Sequence, residues 1–319
     1  MVQQTRLDIT DLQIMKLLSR DSRTPYRNIA SAVGIMPSAA KERINKMVSN
    51  GAIRSFVLFV NPVILGYEKE CILILRHVDK TIKEQDIFNR VSLLGDVLVY
   101  VLSLQGTANF ILSVKDRAQD KIGILTDLLK PSEVESIFAR YSPARMKIYG
   151  SDLKIMKCLL SDPRMLIEDI AETASLSPKT VARRLDKMRE NNVLQFSIVT
   201  NLSSMNLTGY IEFGVLIDVK ISSHQKIVEK IHHELQEYLL HIPHRYQKEV
   251  IFAVFASPNI PAVNLILRRL ESYDGVNKVE PFITTSLTIY QDWLKSEINN
   301  RISQKYLSRS AATITTKEA

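Results

Sequence analysis

Two short predicted helices carry the residues of this sequence whose types and spacing suggest chemistry. Each helix opens with a proline, Pro37 or Pro178, as is typical of a first helical position. Apolar residues three and four positions apart define the inward face of the first helix, at Ala40, Ile44 and Met47. Its outward side chains are then Ser38, Ala39, Lys41, Glu42, Asn45 and Lys46. The second helix presents in the same way Lys179, Thr180, Ala182, Arg183, Asp186 and Lys187, and Arg43 matches Arg184 between the helices.

This mixture of cationic, hydroxyl and amide side chains suits a nucleic-acid duplex. Lysine and arginine neutralise backbone phosphates, whereas serine, threonine and asparagine hydrogen-bond to the edges of bases. Charged helix faces are also common as solvated surfaces, but within the helix-turn-helix order described below we predict DNA contacts from both helices, and from Arg54, which follows the first helix.

Other kinds of site are weaker candidates. The histidines cluster at His232-His233 and at His241 and His244, but one pair lies on a polar helix and the other beside a proline. We expect ordinary surface roles for them rather than a metal site. The sequence contains neither a glycine-rich phosphate loop nor a convincing nucleophile triad, so we expect no cofactor and no catalysis.

The two helices belong to an internal repeat. The stretch DLQIMKLLSRDSR at residues 11–23 returns as DLKIMKCLLSDPR at residues 152–164, and the offset of 141 continues well beyond it. The chain is therefore predicted to contain two similar units, each with a helical part followed by a part in which strands and helices alternate.

Three short helices and a strand segment make up the helical part of each unit. In unit 1, Thr10 and Gln13 fit a capping box at the first helix, and Gly34 ends the second helix. The strand-like segment AIRSFVLFVNP follows the third helix and suggests a hairpin. This order is typical of a winged helix-turn-helix, which we predict at residues 1–62 and 150–209.

The alternating part of each unit predicts a sheet with helices on one face. Its order of strands and helices is βαββαβ, which is typical of a ferredoxin-like domain, and we predict such domains at residues 63–149 and 210–294. VEPFITTSLTIY is interpreted as the last strand, and residues 295–319 as a polar, flexible tail. The fold class is then α+β, with two winged helix-turn-helix domains alternating with two ferredoxin-like domains.

Composition and charge agree with a globular protein that has a polyanionic partner. The chain has 319 residues, is 45% hydrophobic and has a net charge of +8, and we expect no membrane span. Its two cysteines, Cys71 and Cys158, lie in apolar patterns, so a reducing cytoplasm is expected. Residues 1–62 carry +5 and residues 150–209 carry +1, so DNA binding is expected to depend more on unit 1.

The first helical part resembles a known family, the leucine-responsive/asparagine regulators (Lrp/AsnC) of bacteria and archaea, and is similar to the archaeal type. The matching residues are Leu7, Asp8, Asp11, Ile14, Leu18, Asp21, Arg23, Ile29, Ala30, Gly34, Ile35, Arg43, Ile44, Met47, Gly51, Ile53, Asn61, Pro62, Gly66 and Tyr67. The resemblance implies a sequence-specific transcriptional regulator that binds double-stranded DNA and does not associate with a membrane.

The same resemblance implies an assembly and an effector. Family regulators are dimers of one unit, so two fused units imply an internal pseudo-dimer, and a further homodimer of chains is expected. The family's effector turn corresponds to Gly106, Thr107, Ala108 and Asn109. Because Asn109 stands where the family has a carboxylate, we expect weak or no response to amino acids.

An enzyme is the alternative interpretation. Sirohaem decarboxylases resemble the same two-part unit and work as pairs of related chains, so a fusion would be natural. Those enzymes resemble each other through an arginine-rich, histidine-containing segment after the third helix. Here the corresponding IRSFVLFVNPVILGY contains one arginine and no histidine, which favours the regulator.

Overall fold

The computed structural model of the protein describes residues 7–76, 81–104, 106–114, 119–130, 133–141, 144–200, 209–241 and 250–315. Unit 1 contains, in chain order, α1 (Ile9–Arg20), α2 (Tyr26–Val33), α3 (Pro37–Ser49), β1 (Ile53–Val60), β2 (Lys69–Arg76), α4 (Glu84–Val91), β3 (Asp96–Ser103), β4 (Ala108–Val114), α5 (Ile122–Leu129) and β5 (Glu133–Arg140). Unit 2 contains α6 (Gly150–Ser161), α7 (Ile167–Ala174), α8 (Pro178–Glu190), β6 (Leu194–Thr200), β7 (Ile211–Val219), α9 (His224–Glu234), β8 (Leu239–His241), β9 (Val250–Ser257), α10 (Ile260–Glu271), β10 (Val276–Phe282), β11 (Thr284–Ile289) and α11 (Asp292–Thr315). We call α1–α3 head 1 and α6–α8 head 2.

Local sequence explains where the helices of head 1 begin and end. The Asp8 carboxylate accepts a hydrogen bond from the Asp11 N–H at 2.9 Å, and Asp11 accepts one from the Asp8 N–H at 3.1 Å. This reciprocal pair is the capping box of α1. The box predicted at Thr10 and Gln13 is therefore wrong, because the helix begins two residues earlier. Gly34 ends α2 as predicted, in the left-handed conformation with φ 72°.

The alternating part of each unit folds into an antiparallel sheet. The strand order is β3-β4-β2-β5 in unit 1 and β8-β9-β7-β10 in unit 2. In both sheets the first and third strands of the βαββαβ run lie side by side at the centre, which is the ferredoxin-like arrangement. The predicted α+β fold, with helix-turn-helix units alternating with such sheets, is confirmed.

The strand that follows each head pairs with its counterpart rather than with a neighbour in sequence. β1 and β6 form a two-stranded antiparallel ribbon, so the predicted hairpin is wrong. Equivalent positions are 141 residues apart, so Phe56 corresponds to Ser197 and Val57 to Ile198. The register pairs Phe56 with Ile198 and Val57 with Ser197. This reciprocal pairing puts a pseudo-two-fold axis through the middle of the ribbon.

Each head is packed against parts of the other unit. The core of head 1 around Met15 also contains Leu240 and Val254 from the sheet of unit 2. The core of head 2 contains Leu58 and Leu65, which follow head 1 in sequence. The two units therefore share their cores, as the two subunits of an intertwined dimer would.

A lysine fixes head 1 to the sheet of unit 2. Lys16 in α1 donates from Nζ to the carbonyl of Gln236 at 2.7 Å and also to the carbonyl of Glu237. These carbonyls lie between α9 and β8. Burial lowers the pKa of the Lys16 ammonium to about 8. Head 1 is thus joined to this sheet by the hydrogen bonds of Lys16 as well as by apolar packing, although burial disfavours the charged form of the lysine.

The two sheets also meet directly. The guanidinium of Arg76 in β2 pairs with Glu280 in β10 and lies 3.3 Å from Glu135 in β5. The Arg76 side chain is 15% exposed and that of Glu135 is 43% exposed, so the ion pairs lie at the edge of the contact between the sheets.

The end of the chain differs from the prediction in two ways. VEPFITTSLTIY is not one strand: β10 stays in the sheet of unit 2, whereas β11 crosses to pair with β3 of unit 1. Of the segment predicted as a flexible tail, residues 295–315 are helical, in α11. Leu294 and Ile298 are buried against head 2, with Ile302 partly buried one turn later. This spacing of four residues is the apolar stripe that the sequence interpretation missed. Within the described ranges, no helix combines the length and apolarity that crossing a membrane would require.

Candidate nucleic-acid interface

The outer face of α3 is open to solvent along its length. Ala40, Ile44 and Met47 are buried and fix the helix to head 1. Ala39 is half-buried at the edge of the open face. The exposed residues of that face are Ser38, Lys41, Glu42, Asn45 and Lys46. The polar and cationic side chains that the sequence singles out in unit 1 therefore lie together on one accessible surface.

The outer face of α8 is equally accessible but chemically different. Its exposed residues are Lys179, Arg183, Asp186 and Lys187, whereas Ala182 is half-buried. The Thr180 hydroxyl lies 2.9 Å from the hydroxyl of Ser177, whose oxygen also accepts from the Thr180 N–H at 3.2 Å. Thr180 is therefore engaged in the helix cap as well as lying at the start of the open face.

Two arginines predicted to contact DNA form ion pairs within their own heads. Arg184 is 8% exposed, and its guanidinium makes two hydrogen bonds to the Asp152 carboxylate. Arg43 donates from Nη1 to Asp8 at 2.7 Å and to Asp11 at 2.8 Å. Each arginine ties its third helix to the start of the first. The burial of Arg184 argues against a DNA contact, whereas the Arg43 side chain is 33% exposed and its DNA contact stays a prediction.

The arginine of the strand segment also has a partner. Arg54 in β1 donates from Nη1 to the Leu287 carbonyl in β11 at 2.7 Å, in an exposed setting. The corresponding residue of unit 2 is Gln195. A phosphate contact from Arg54 would compete with this hydrogen bond, and it stays a prediction.

A difference between α2 and α7 was missed at the level of sequence. In a helix-turn-helix the second helix of the motif is the recognition helix, which here is α3 or α8. The helix before it, here α2 or α7, crosses the phosphate backbone. Exposed Arg27 and Asn28 open α2, whereas the matching residues of α7 are exposed Glu168 and Asp169. Glu172 adds a third exposed carboxylate to α7. A comparison of the two units position by position would have found this contrast, because the 141-residue offset aligns the residues of α2 with those of α7.

The two heads are held side by side at the turns that follow their first helices. Arg23 donates from Nη1 to the Pro163 carbonyl at 2.8 Å, and Arg189 pairs with Asp21. The guanidinium of Arg164 lies 4.9 Å from the ring centre of Phe56. Burial and the nearby Arg189 lower the pKa of the Arg23 guanidinium, which shows how closely these cations pack. The heads therefore present α3 and α8 in a fixed mutual orientation.

The predicted effector turn begins between β3 and β4, and its last two residues, Ala108 and Asn109, are the first two of β4. Gly106 has φ 76°, which suits a tight turn, and the Thr107 N–H donates to the Ser103 hydroxyl at 3.1 Å. Ala108 is buried. The Asn109 Nδ2 is buried and has no hydrogen-bond partner among the residues that the structure describes. The turn is formed, but its amide donor is not satisfied from within the described part of the chain.

The described histidines and cysteines give little support to a metal site or a reactive thiol. Among the described residues, no three histidines, cysteines, aspartates or glutamates are grouped so that they could hold a metal ion. Of the histidine stretch, His244 and the side chain of His241 lie outside the described residues. Burial raises the pKa of the Cys71 thiol to about 12, so it is not a reactive thiolate.

Family models match both heads. The AsnC-type helix-turn-helix domain matches residues 7–48, and a winged helix-turn-helix DNA-binding model matches residues 150–195. Both matches include the recognition helix with the exposed face described above. Fold and surface thus define a protein with two helix-turn-helix heads of the kind found in DNA-binding proteins, on a duplicated sheet scaffold.

Similar proteins narrow this class to a family. An uncharacterized HTH-type transcriptional regulator of Pyrococcus furiosus is 30% identical over 125 residues, which are 37% of this chain and 82% of that protein. The HTH-type transcriptional regulator FL11 of Pyrococcus abyssi is 37% identical over 70 residues, which are 22% of this chain and 46% of FL11. The protein belongs to the Lrp/AsnC family of HTH-type transcriptional regulators.

The solved structure of a siroheme decarboxylase is similar along nearly the whole chain. The siroheme decarboxylase NirDL aligns over 94% of this chain and 100% of its own, with a TM-score of 0.51 and 17% identity. At this identity the likeness concerns the fold alone.

Proposed function

We propose that the protein is a sequence-specific, DNA-binding transcriptional regulator in which a single chain supplies both heads of a family dimer. The observation that carries the proposal is the outer face of α3, where two lysines, a serine and an asparagine are exposed together. Such a face offers phosphate neutralisation and base-edge hydrogen bonds from one helix, the combination that a duplex reader needs.

Electrostatics support head 1 as the stronger DNA-binding element. α2 contributes Arg27 beside Lys41 and Lys46 of α3, whereas α7 contributes carboxylates at the positions that would lie near phosphates. Head 2 still exposes Lys179, Arg183 and Lys187, so it keeps a cationic face of its own. We infer that both heads contact DNA and that head 1 supplies the larger share of the affinity.

The experiment is a salt titration of duplex binding by the full chain. Arg27, Lys41 and Lys46 are changed together to alanine, and binding is measured by fluorescence anisotropy at several salt concentrations. We expect weaker binding to every sequence and a salt slope lower by about three units, because each lost phosphate contact removes about one.

A matched control separates the heads from net charge. Lys220, Lys226 and Arg268 are exposed cations of the unit 2 sheet domain, and their replacement by alanine removes the same charge. We expect this control to keep the wild-type slope. Equal losses from both triple variants would mean that binding is a general effect of charge, and absence of binding by the wild type would contradict the proposed function.

An enzyme remains the second candidate because of one observation, the fold match to NirDL over nearly the whole chain. A siroheme decarboxylase would retain siroheme after incubation and desalting, with a visible absorption band. We propose a regulator and not an enzyme, so we expect the desalted protein to be colourless.

An effector and a further homodimer of chains are also proposals. The unsatisfied Nδ2 of Asn109 is a donor, whereas a carboxylate at this position would accept from an amino group. We therefore expect weak or no binding in a calorimetric screen of the twenty amino acids, and micromolar binding would contradict this. Sedimentation at several concentrations tests the homodimer.

A further inference from the structure

The two recognition helices share an inward face but not an outward one. The inward positions of α3 and α8 pair Ala40 with Val181, Ile44 with Leu185, and Met47 with Met188, all buried and apolar. The outward positions pair Ser38 with Lys179, Ala39 with Thr180, Lys41 with Ala182, Glu42 with Arg183, Asn45 with Asp186, and Lys46 with Lys187. The residue type is the same only in the last pair, so packing is retained while the face open to DNA differs.

The exposed residues of each face have different base preferences. On α3, Asn45 suits adenine, whose N6 and N7 it can contact together, and Glu42 can accept from N4 of cytosine. On α8, Lys179 and Arg183 suit guanine, because O6 and N7 are both acceptors, and Asp186 can accept from N4 of cytosine. Side-chain chemistry therefore gives the two heads different preferred bases.

The frame that carries these faces is nevertheless nearly two-fold. The β1–β6 ribbon pairs equivalent residues reciprocally about its centre, and Arg23, Arg164 and Arg189 tie the heads together across it. A two-fold frame presents its heads to DNA as an ordinary dimer does, towards half-sites of opposite orientation. A homodimer has two identical heads and binds two half-sites of the same sequence, whereas the two heads of this chain expose different side chains to DNA.

We propose that the DNA site of one chain is non-palindromic, with two unlike half-sites in inverted orientation. Head 1 reads its half-site through Glu42 and Asn45, and head 2 reads a different sequence through Lys179, Arg183 and Asp186. This inference rests on the proposed function and adds the form of the DNA site to it.

The first test is selection of binding sites by the full chain. Random duplexes of about 30 base pairs, roughly three helical turns, leave room for both half-sites. We expect the selected sequences to share two unlike elements. Base changes in either element should lower affinity by about tenfold or more per lost base contact, with the larger total loss in the half-site of head 1.

The sharper test transplants the outward face of α3 onto α8. The variant combines Lys179→Ser, Thr180→Ala, Ala182→Lys, Arg183→Glu and Asp186→Asn, all at exposed or half-buried positions. We expect it to prefer an inverted repeat of the head 1 half-site by at least tenfold over the wild-type site. The reciprocal variant, Ser38→Lys, Ala39→Thr, Lys41→Ala, Glu42→Arg and Asn45→Asp, should prefer an inverted repeat of the head 2 half-site.

The outcomes separate this inference from the function on which it rests. Selection of a palindrome, or of a single half-site, by the wild-type chain would overturn the inference and leave DNA binding intact. Failure of the wild type to bind any duplex would overturn the proposed function itself. Unchanged preference in a folded transplant variant would also overturn the inference, and two reciprocal variants provide a test even if one fails to fold.

Discussion

The two heads of this protein solve the same structural problem with different side chains. In head 2, Arg184 is enclosed: it makes two hydrogen bonds to Asp152, and its guanidinium lies 4.9 Å from the ring centre of Tyr149. In head 1, Arg43 lies nearer the surface and divides its hydrogen bonds between two carboxylates. The ion pair between first and third helix is common to both heads, but its environment is not.

The contrast shows that the two copies share the interactions that stabilise each head but differ in the side chains that each head exposes to solvent. The ion pair and the buried apolar positions are present twice, whereas the solvent-facing residues of α2 and α7 have opposite charge. Because exposed substitutions away from caps and networks have little effect on stability, the outward faces could diverge without loss of the fold.

The largest difference between the heads is expected on breaking the ion pair. Asp152→Ala leaves the Arg184 guanidinium buried without its carboxylate, and removing one partner of such a pair destabilises by about 3–5 kcal/mol. Asp11→Ala leaves Arg43 with Asp8 and with solvent but also removes one hydrogen bond of the capping box, so we expect a loss of about 1–2 kcal/mol. Urea unfolding followed by circular dichroism measures both changes in free energy.

Equal losses from the two substitutions would contradict the proposed difference in environment. Asp152→Asn provides a milder variant, because it keeps the shape and one acceptor oxygen. We expect its loss to fall between those of the two alanine variants.

The next largest effect concerns the acidic start of α7. Glu168→Arg with Asp169→Asn gives head 2 the residues that head 1 carries at Arg27 and Asn28. Two carboxylates near the phosphates are removed and one cation is added, so we expect binding about tenfold tighter at low salt and a salt slope steeper by about one unit. The matched control, Glu229→Arg with Asp218→Asn, makes the same charge change at the unit 2 sheet domain. An unchanged slope in the α7 variant would mean that head 2 does not approach the phosphates.

Much of this comparison could be predicted from the sequence, because repeats and periodicity are local signals. The three helices of each head and the inward positions of α3 follow from spacing, and the sheet arrangement follows from the order of strands and helices along the chain. The roles of Arg43 and Arg184 could not be predicted in this way. A helical arginine on the boundary between buried and exposed faces can point either way, and its partner lies about thirty residues away in sequence.

The remaining errors concern partners that are distant in the chain. β1 is a strand as predicted, but the strand it pairs with begins more than a hundred residues later. β11 is positioned by β3 of unit 1, and α11 is positioned by head 2. No local pattern therefore indicates that β10 and β11 belong to different sheets, or which surface α11 packs against. Contacts between elements so far apart in the chain depend on tertiary packing, and the periodicity of a local sequence carries no information about them.

A smaller effect is expected where head 1 meets the sheet of unit 2. Lys16→Met removes the hydrogen bonds to the carbonyls of Gln236 and Glu237, and we expect the local opening of α1 and β8 to become easier by about 1 kcal/mol. Hydrogen exchange of these amides measures the change. Lys157 is the exposed counterpart in head 2, so Lys157→Met is the matched control and should have no such effect.

The same lysine predicts a pH dependence with a definite sign. Burial lowers the Lys16 pKa from 10.5 to about 8, so between these values the unfolded chain binds more protons at this position than the folded chain. Stability therefore rises with pH across this window and is lower below it. The difference in unfolding free energy between wild type and Lys16→Met should grow in favour of the wild type from pH 8 to 10, and a flat difference would contradict the assignment.

The smallest expected effect comes from the helix caps, where the two heads have nearly the same backbone and different side chains. Met36 caps α3 with φ −76° and ψ 148° and makes no side-chain hydrogen bond, whereas Ser177 caps α8 with φ −79° and ψ 148° and accepts from the Thr180 N–H. Met36 is 70% exposed, so its side chain contributes little to the core. Met36→Ser should therefore place a hydroxyl where the Ala39 N–H can donate to it, and stabilise head 1 by about 0.5–1 kcal/mol. Met36→Ala is the control that removes the methionine without supplying an acceptor, and Ser177→Ala should destabilise head 2 by a similar amount. If Met36→Ser and Met36→Ala have the same midpoint in urea, the missing cap is not a source of the difference between the heads, and their contrast lies in the ion pair and the charged faces alone.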